Sequence, residues 1–268
     1  MTRAGIARTV FVMLLTLFAF PFLHVPAEAY LPGAPKILER LAAAASGTET
    51  FQGKARLAPL PGEGNPEVPP VLEQQISMKA PDSYRAETRR EGGVDIALAC
   101  GRRSLAMIPD GRGIRNSLIS TLPAVLFLGK PMEDLLAELS FLGTRTGETA
   151  LERVEGKIAY VIGKSDAETI GSRLWIDKAT GLPLRFEAWG VREDRAVPLR
   201  VDFGGYREIR KGAPFPMELV YSVDGVPAAR LTFRDVATNV PLQDALFSVP
   251  CREDSPYPPL EGFLDPRE

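Results

Sequence analysis

The stretch NSLISTLPAVLFLGKPMEDLLAELSFLG, residues 116–143, is the one strongly apolar, helix-forming block in the middle of the chain. Leu135 and Leu139 are four residues apart, so they lie on one side of a helix that Gly143 ends. The piece before it, residues 122–128, is apolar on nearly every side and must therefore be covered by another part of the protein. The block predicts two helices that need an apolar partner.

Short runs of alternating apolar and polar residues flank this block, separated by turns that carry Gly and Asp. Such runs are typical of half-buried antiparallel strands. An earlier helix is predicted between Pro35 and Gly47, and the last strand is predicted at residues 246–249. About ten strands in hairpin order predict a mainly β fold, a strongly curved antiparallel sheet that forms an unclosed barrel capped by short helices. We expect one domain over residues 30–251 and an extended tail over 252–268.

The first 29 residues have the pattern of a secretory signal peptide. Arg3 and Arg8 precede an apolar run, residues 10–23, and the triplet Ala27-Glu28-Ala29 is typical of a cleavage site. An uncleaved membrane anchor is the alternative, but the run is short for a membrane span and contains a proline. We expect cleavage after Ala29 and export of a soluble mature protein.

The composition of the mature chain excludes several classes of chemistry. Cleavage leaves 239 of the 268 residues and, by removing two Arg and one Glu, changes the formal charge from −2 to −3. The one histidine, His24, lies in the signal, so catalysis by a Ser-His-Asp or Cys-His set is excluded and metal sites are not expected. The chain has no concentrated basic run, so a nucleic-acid partner is not predicted. We expect no enzyme activity and no cofactor.

Two cysteines remain, Cys100 and Cys251. In an oxidising compartment an even pair favours a disulfide over two free thiols, although sequence does not show whether the side chains meet. We predict the disulfide.

Four motifs follow one another along the chain: ISMKAPDSYRAE (76–87), GRRSLAMIPD (101–110), SRLWIDKATGLPLRFEAWG (172–190) and VPLQDALFSVP (240–250). In this order they resemble the LolA/LolB-like superfamily of periplasmic lipoprotein and lipid carriers. The resemblance covers residues 35–250. It implies an unclosed antiparallel barrel whose concave apolar face holds acyl chains beneath a lid of short helices.

One position departs from the resemblance. The lipoprotein carrier has an Arg directly before the strand-ending Pro, where it holds the lid, but this chain has Ala80 there. Lys79 precedes it, and strand alternation places Lys79 on the opposite face. The residue that holds the lid is therefore not predicted.

Alternating apolar residues are the candidate cavity lining, and the apolar residues of the central block are the candidate lid. From residue pattern alone they are a filled core beneath the helices, whereas the resemblance implies an open cavity. The lining residues are Ile76, Met78, Ile96, Leu98, Leu105, Met107, Leu184, Phe186, Leu219, Tyr221, Leu231 and Phe233, and the lid residues are Leu118, Leu122, Leu126, Phe127, Leu135 and Leu139.

Two further groups of residues have competing interpretations. Trp175 and Trp189 fall on the polar side of their strands, where packing is favoured over a partner surface. An arginine cluster near the first hairpins is either a lipid headgroup site or, as we favour, solvated charge. Its members are Arg85, Arg89, Arg90, Arg102 and Arg103.

These observations predict a monomeric periplasmic carrier of lipid or lipoprotein acyl chains. Its further partner would be an envelope membrane protein that donates or accepts the cargo. The alternative is an envelope-stress sensor or a structural protein-interaction module on the same fold.

Overall fold

Strands dominate the part of the chain that the computed structural model describes, which is residues 31–61, 71–90, 93–100, 103–107, 121–163, 171–192 and 195–247. The chain divides into two compact units, Met1–Leu31 and Pro32–Glu268, and the fold below belongs to the second unit. The predicted signal peptide and the predicted C-terminal tail lie outside the described residues.

The described residues form three α-helices and fourteen strands. The helices are α1 (Ala34–Ala45), α2 (Leu122–Phe127) and α3 (Met132–Phe141). The strands are β1 (Thr50–Pro59), β2 (Leu72–Lys79), β3 (Ser83–Arg90), β4 (Gly93–Cys100), β5 (Arg103–Met107), β6 (Thr149–Val154), β7 (Lys157–Ile162), β8 (Arg173–Asp177), β9 (Pro183–Arg192), β10 (Arg195–Gly204), β11 (Arg207–Arg210), β12 (Ala213–Phe215), β13 (Glu218–Val223) and β14 (Val226–Thr238).

Twelve of these strands form one open sheet in the order β5-β4-β3-β2-β1-β14-β13-β10-β9-β8-β7-β6. Each neighbouring pair is antiparallel. Strands β5 and β6 are the two edges, so within the described residues the sheet does not close into a barrel. Strands β11 and β12 form a separate two-stranded ribbon. The predicted mainly β fold, with an open antiparallel sheet and a few short helices, is confirmed.

A turn at Glu155 and Gly156, both with positive φ, separates β6 from β7. One strand prediction differs from the structure. The strand predicted at residues 246–249 is wrong at its start, because Asp244–Leu246 is a 3-10 turn. Its apolar residues are too few to distinguish a strand from a single helical turn.

Helix α1 follows from its local sequence. Pro35 occupies its first turn, and Ile37, Leu38 and Leu41 form one buried side. The helix ends just before Gly47, whose φ of 76° suits glycine. The predicted helix between Pro35 and Gly47 is confirmed.

Helices α2 and α3 form the predicted pair in the central block. Helix α2 is buried on nearly every side, and α3 buries Leu135 and Leu139. Glu133 and Asp134 lie in the first turn of α3, where carboxylates stabilise the positive end of the helix dipole. We call the pair, with its linker, the lid.

The sheet has two distinct faces. Cross-strand partners share a face, and Phe51, Met78, Tyr84 and Ala99 are successive partners across β1 to β4. All four belong to the large apolar cluster that also contains residues of α1, α2 and α3, so this is the inner face. A second, small cluster around Trp175 lies on the other face, the outer face, because Trp175 pairs with Val161 beside the inner-face pair of Leu174 and Ile162.

Candidate functional site

The main apolar cluster contains most of the predicted lining and lid residues. Each of them is at most 6% exposed, so beneath the lid these side chains pack against one another. Their role as a ligand-binding surface stays a prediction. The lining members are Ile76, Met78, Phe186, Leu219, Tyr221, Leu231 and Phe233, and the lid members are Leu122, Leu126, Phe127, Leu135 and Leu139.

An aromatic group occupies the centre of this cluster. The ring centre of Phe215, on the β11–β12 ribbon, lies 4.6 Å from the ring centre of Phe51 and 5.1 Å from that of Phe233, both on the sheet. It also lies 5.2 Å from Phe127 of the lid. Phe127 in turn lies 6.2 Å from Phe203 of β10. Ribbon, lid and sheet therefore meet through aromatic rings, and an acyl chain would have to separate them in order to enter.

Sequence reasoning missed the ribbon. Phe215 follows Pro214 in a short segment that has too few residues to show alternation. Its burial to 1% exposure depends on how the ribbon folds back over the inner face. No local signal in the sequence identifies such a position.

The buried tyrosines of the cluster are neutral. Burial raises the pKa of Tyr84 and of Tyr221 above the ordinary value, and the proximity of Tyr84 raises the pKa of Tyr221 further. Burial likewise raises the pKa of Tyr206, whose hydroxyl donates to the carbonyl oxygen of Pro183 at 2.7 Å. These hydroxyls supply polarity without charge at physiological pH.

Ile96 and Leu98 are not brought together with the other lining candidates. Leu98 pairs with Arg85 and Ile96 with Glu87, whereas Ala97 pairs with Ala86 of the main cluster. The register of the β3–β4 hairpin therefore places both residues on the outer face, and the prediction that they line the inner face is wrong. In β4 the alanines face the core, although the larger side chains suggested the reverse.

One more lining candidate, Leu184, lies away from the main cluster. The side chains of Leu105 and Met107 are not described; in the backbone register Leu105 pairs with Leu98 and Met107 with Ile96. Leu184 packs against the second cluster, beside a bulge in the β8–β9 pairing. Leu118 lies outside the described residues.

Two polar contacts fix the described linker of the lid. The backbone N–H of Gly129 donates to the carbonyl oxygen of Thr48 at 2.9 Å. The Lys130 ammonium lies 2.6 Å from a carboxylate oxygen of Glu138, and these side chains are 2% and 14% exposed. The first contact ties the lid to the segment after α1, and the second joins the linker to α3.

The electrostatic environment of Glu138 is unfavourable to its charge. Burial is the largest cause that raises its pKa, Lys130 lowers the pKa, and Asp82 and Asp134 raise it. Lys130 is therefore the one group of this set that stabilises the ionised carboxylate.

Lys79 does not hold the lid. It pairs with Thr50 in the sheet, next to the inner-face pair of Met78 and Phe51, and its ammonium forms an ion pair with Asp244. This placement agrees with the predicted alternation. Ala80 packs against the main cluster.

The outer face is polar and carries several ion pairs. Arg173 and Glu187 lie 2.6 Å apart between β8 and β9, and the Trp175 indole N–H donates to Glu152 at 2.9 Å. The guanidinium of Arg173 lies 4.6 Å from the Trp175 ring centre. Trp175 is 3% exposed, which confirms that it packs within the protein. Trp189 is half-buried.

The arginine cluster near the first hairpins is only partly described. Arg85 donates to Glu87 at 2.7 Å and to the Leu246 carbonyl at 2.8 Å, and Arg89 is exposed. Nothing is described of the side chains of Arg90, Arg102 and Arg103, so the choice between headgroup site and solvated charge stays a prediction.

Within the described residues, no group of three or more His, Cys, Asp or Glu side chains is arranged to hold a metal ion. In the same part of the chain, no helix combines the length and apolarity needed to cross a bilayer. Cys100 is the last residue of β4, and Cys251 lies outside the described residues.

No protein-family model matches the sequence, and no curated protein matches it. Solved structures do match. A LolA superfamily protein from Nitrosomonas europaea has 15% identity and a TM-score of 0.53, over 82% of this chain and 99% of that one. A putative outer membrane lipoprotein-sorting protein domain from Vibrio parahaemolyticus has 11% identity and a TM-score of 0.55, over 80% of this chain and 95% of that one. At these identities the likeness concerns architecture, and it shows that the chain has a LolA-like fold.

Proposed function

We propose that this protein is exported to the periplasm and carries lipid or lipoprotein acyl chains between the inner face of the sheet and a lid that moves. The observation that supports this proposal most directly is the single apolar cluster shared by α2, α3 and the sheet. An envelope membrane protein would donate or accept the cargo.

The energetics of opening are compatible with acyl-chain binding. Each buried methylene contributes about 0.8 kcal/mol, so a dozen or so methylenes would contribute on the order of 10 kcal/mol. That gain would offset the aromatic contacts between Phe127, Phe215 and the sheet, each worth about 0.5–1.5 kcal/mol beyond area burial. In the described linker, the Gly129 N–H bonds to Thr48 outside the lid, whereas Lys130 pairs with Glu138 inside it.

The second candidate function is a protein-interaction module, such as an envelope-stress sensor. The filled aromatic centre favours it, because a protein that binds a partner on its surface needs no cavity. Lipid released on denaturation distinguishes the two: a carrier purified from the periplasm releases lipid, whereas an interaction module releases none and still yields a reproducible protein adduct on crosslinking in intact envelopes.

A cavity-forming substitution tests the carrier proposal. Phe215→Ala removes the central ring, so we expect a loss of about 3–5 kcal/mol in the free energy of unfolding. A fatty acid that fills the space should restore much of that stability and appear as a bound species in native mass spectrometry. Trp175→Ala is the matched control, because it removes a similarly buried aromatic ring from the outer face.

The outcomes separate the candidates. Recovery of Phe215→Ala by fatty acid, without recovery of Trp175→Ala, supports the carrier. Equal behaviour of the two variants, together with protein from the periplasm that contains no lipid, would contradict it. Determination of the mature N-terminus tests export, with Tyr30 expected as the first residue.

A further inference from the structure

The inner face becomes exposed at one end of strands β6 and β7. Along β7, Ile162 is fully buried, Tyr160 is half-buried and Ile158 is 47% exposed. Leu151 of β6 is 42% exposed. Leu151 and Ile158 are the two most exposed of the large apolar residues that the structure describes, and they belong to adjacent strands.

Register places these residues on the same face as the core. Leu151 pairs with Tyr160 and Arg153 with Ile158, and Tyr160 pairs with Ile176 of the main cluster. Leu151 and Ile158 are therefore diagonal neighbours on the inner face. With Lys178, they form what we call the β6–β7 patch: Leu151, Arg153, Ile158, Tyr160 and Lys178.

The charge of the β6–β7 patch is positive. The Lys178 ammonium lies 5.7 Å from the centre of the Tyr160 ring, and Arg153 donates to the carbonyl oxygen of Gly156 at 2.9 Å. Both cations are exposed. Among the described residues, no carboxylate forms an ion pair with either of them.

Neighbouring carboxylates of the hairpin are engaged on the outer face. Glu152 accepts from the Trp175 indole, and Glu155 accepts from Arg185 at 3.3 Å. These two acids therefore lie toward the outer face, as does Lys157, which pairs with Val154, whereas Arg153 lies beside the exposed aliphatic pair.

We infer that the β6–β7 patch docks this protein on an anionic lipid surface. Aliphatic side chains beside Lys and Arg suit the membrane interface, where the apolar groups insert and the cations meet phosphate headgroups. A second copy of the chain fits less well, because an isologous contact would oppose cations to cations. A five-residue patch also supplies far less than the roughly 800 Å² per partner that a stable protein interface buries.

This inference does not depend on acyl-chain carriage. The patch is exposed beside the lid-covered core, and its residues make none of the aromatic contacts that hold Phe215. Membrane docking can therefore fail while cargo binding holds, and the reverse is also true.

Co-sedimentation of the mature protein with vesicles of phosphatidylglycerol or of phosphatidylcholine tests the inference. We expect binding to the anionic vesicles only, and its loss in about 0.5 M NaCl, where screening shortens the Debye length to less than about 5 Å. The double variant Leu151→Ser, Ile158→Ser should bind at least about tenfold more weakly, since both aliphatic anchors are lost. Val226→Ser, which alters an aliphatic residue 38% exposed at the β13–β14 turn, should bind as the wild type does.

A second pair of variants isolates the charges. Arg153→Gln with Lys178→Gln should weaken binding about 25-fold, at about fivefold for each cation near an anionic surface. Lys54→Gln, an exposed lysine on β1, is its control. The inference is overturned if the wild type does not bind anionic vesicles, or if the Leu151→Ser, Ile158→Ser variant binds them as tightly as the wild type does. A change from dimer to monomer in that variant, with vesicle binding intact, would assign the patch to a second copy instead.

Discussion

Lys130 is an unusual residue for its surroundings, because its side chain is 2% exposed and nevertheless carries an ammonium group. Its partner Glu138 is the only carboxylate paired with it among the described residues. A buried pair of this kind is stabilising only if its mutual attraction exceeds the desolvation of both groups. The raised pKa of Glu138 indicates that, for the carboxylate, burial together with repulsion from Asp82 and Asp134 outweighs the attraction to Lys130.

The upward shift of the Glu138 pKa determines how this pair changes stability with pH. The pKa of Glu138 is raised in the folded state, above an unfolded value of about 4.3. The stability that the protonated Glu138 contributes to the folded state is therefore fully present below the unfolded pKa and is lost as pH rises through the folded pKa. Glu138→Gln cannot ionise, so near pH 7 we expect it to be at least as stable as the wild type, with the difference disappearing toward about pH 4.

Urea unfolding of both proteins across this pH range measures the difference. Glu133→Gln, on the exposed side of the same helix, is the matched control. It removes a charge that stabilises the helix dipole, so near pH 7 it should be less stable than the wild type by about 0.3–1 kcal/mol, opposite in sign to Glu138→Gln. A Glu138→Gln variant that is less stable than the wild type near pH 7, with the deficit disappearing toward low pH, would show that the attraction to Lys130 exceeds the cost of burial.

At the scale of elements, the lid depends on a close backbone approach at its linker. A Cβ added to Gly129 would lie 3.2 Å from the carbonyl oxygen of Ala45 and 3.3 Å from the backbone nitrogen of Gly47. Both are backbone atoms that the end of α1 holds in place. The linker therefore needs glycine at position 129 so that its backbone can approach the end of α1, and any larger residue pushes the lid away from α1.

Gly129→Ala should loosen the lid without affecting the sheet. We expect a cost of about 1 kcal/mol, from strain on the hydrogen bond to Thr48, and faster amide exchange in α2 and α3 than in β1 and β14. Hydrogen-exchange mass spectrometry measures this directly. Gly147→Ala is the control, since an added Cβ there meets nothing within 4 Å. Uniform acceleration over lid and sheet would contradict a local role for the linker.

At the scale of the whole molecule, the sheet is held as one piece by a single pairing between distant parts of the chain. Strand β1 lies beside β14, with Phe51 opposite Thr238 and Pro59 opposite Ala229, although every other strand comes between them in sequence. All remaining neighbours in the sheet follow from hairpins or from the passage around the ribbon. The predicted disulfide would add a second long-range link.

The Cys100–Cys251 disulfide stays a prediction, because Cys251 lies outside the described residues. The last described segment approaches β4, since Arg85, which pairs with Leu98 of that strand, donates to the carbonyl oxygen of Leu246. The bridge would close about 150 residues and contribute on the order of 4–5 kcal/mol in the chain-entropy account.

Intact mass with and without reduction measures this bridge. We expect protein from the periplasm to be lighter by two hydrogens and to resist alkylation until it is reduced. Cys100→Ser with Cys251→Ser should unfold at a lower urea concentration and should not respond to reductant. Alkylation of both cysteines in the unreduced wild type would contradict the pairing.

Local chemistry alone determined the class of fold and the elements nearest to strong signals. Apolar periodicity and bounding Pro and Gly predict α1, and the same signals predict the two lid helices. Alternation and turn residues predict antiparallel strands. These features are readable because each depends on residues a few positions apart.

Only the tertiary structure decided which faces and segments meet. Leu98 and Ala97 are both apolar neighbours in β4, and the register of the β3–β4 hairpin places Leu98 on the outer face. Phe215 belongs to a ribbon too short to show a period, yet it joins the lid to the sheet. The aliphatic pair of the β6–β7 patch has the same alternation as the core and differs only in being left uncovered. Burial depends on what the rest of the chain places above a residue, and local sequence does not contain that information.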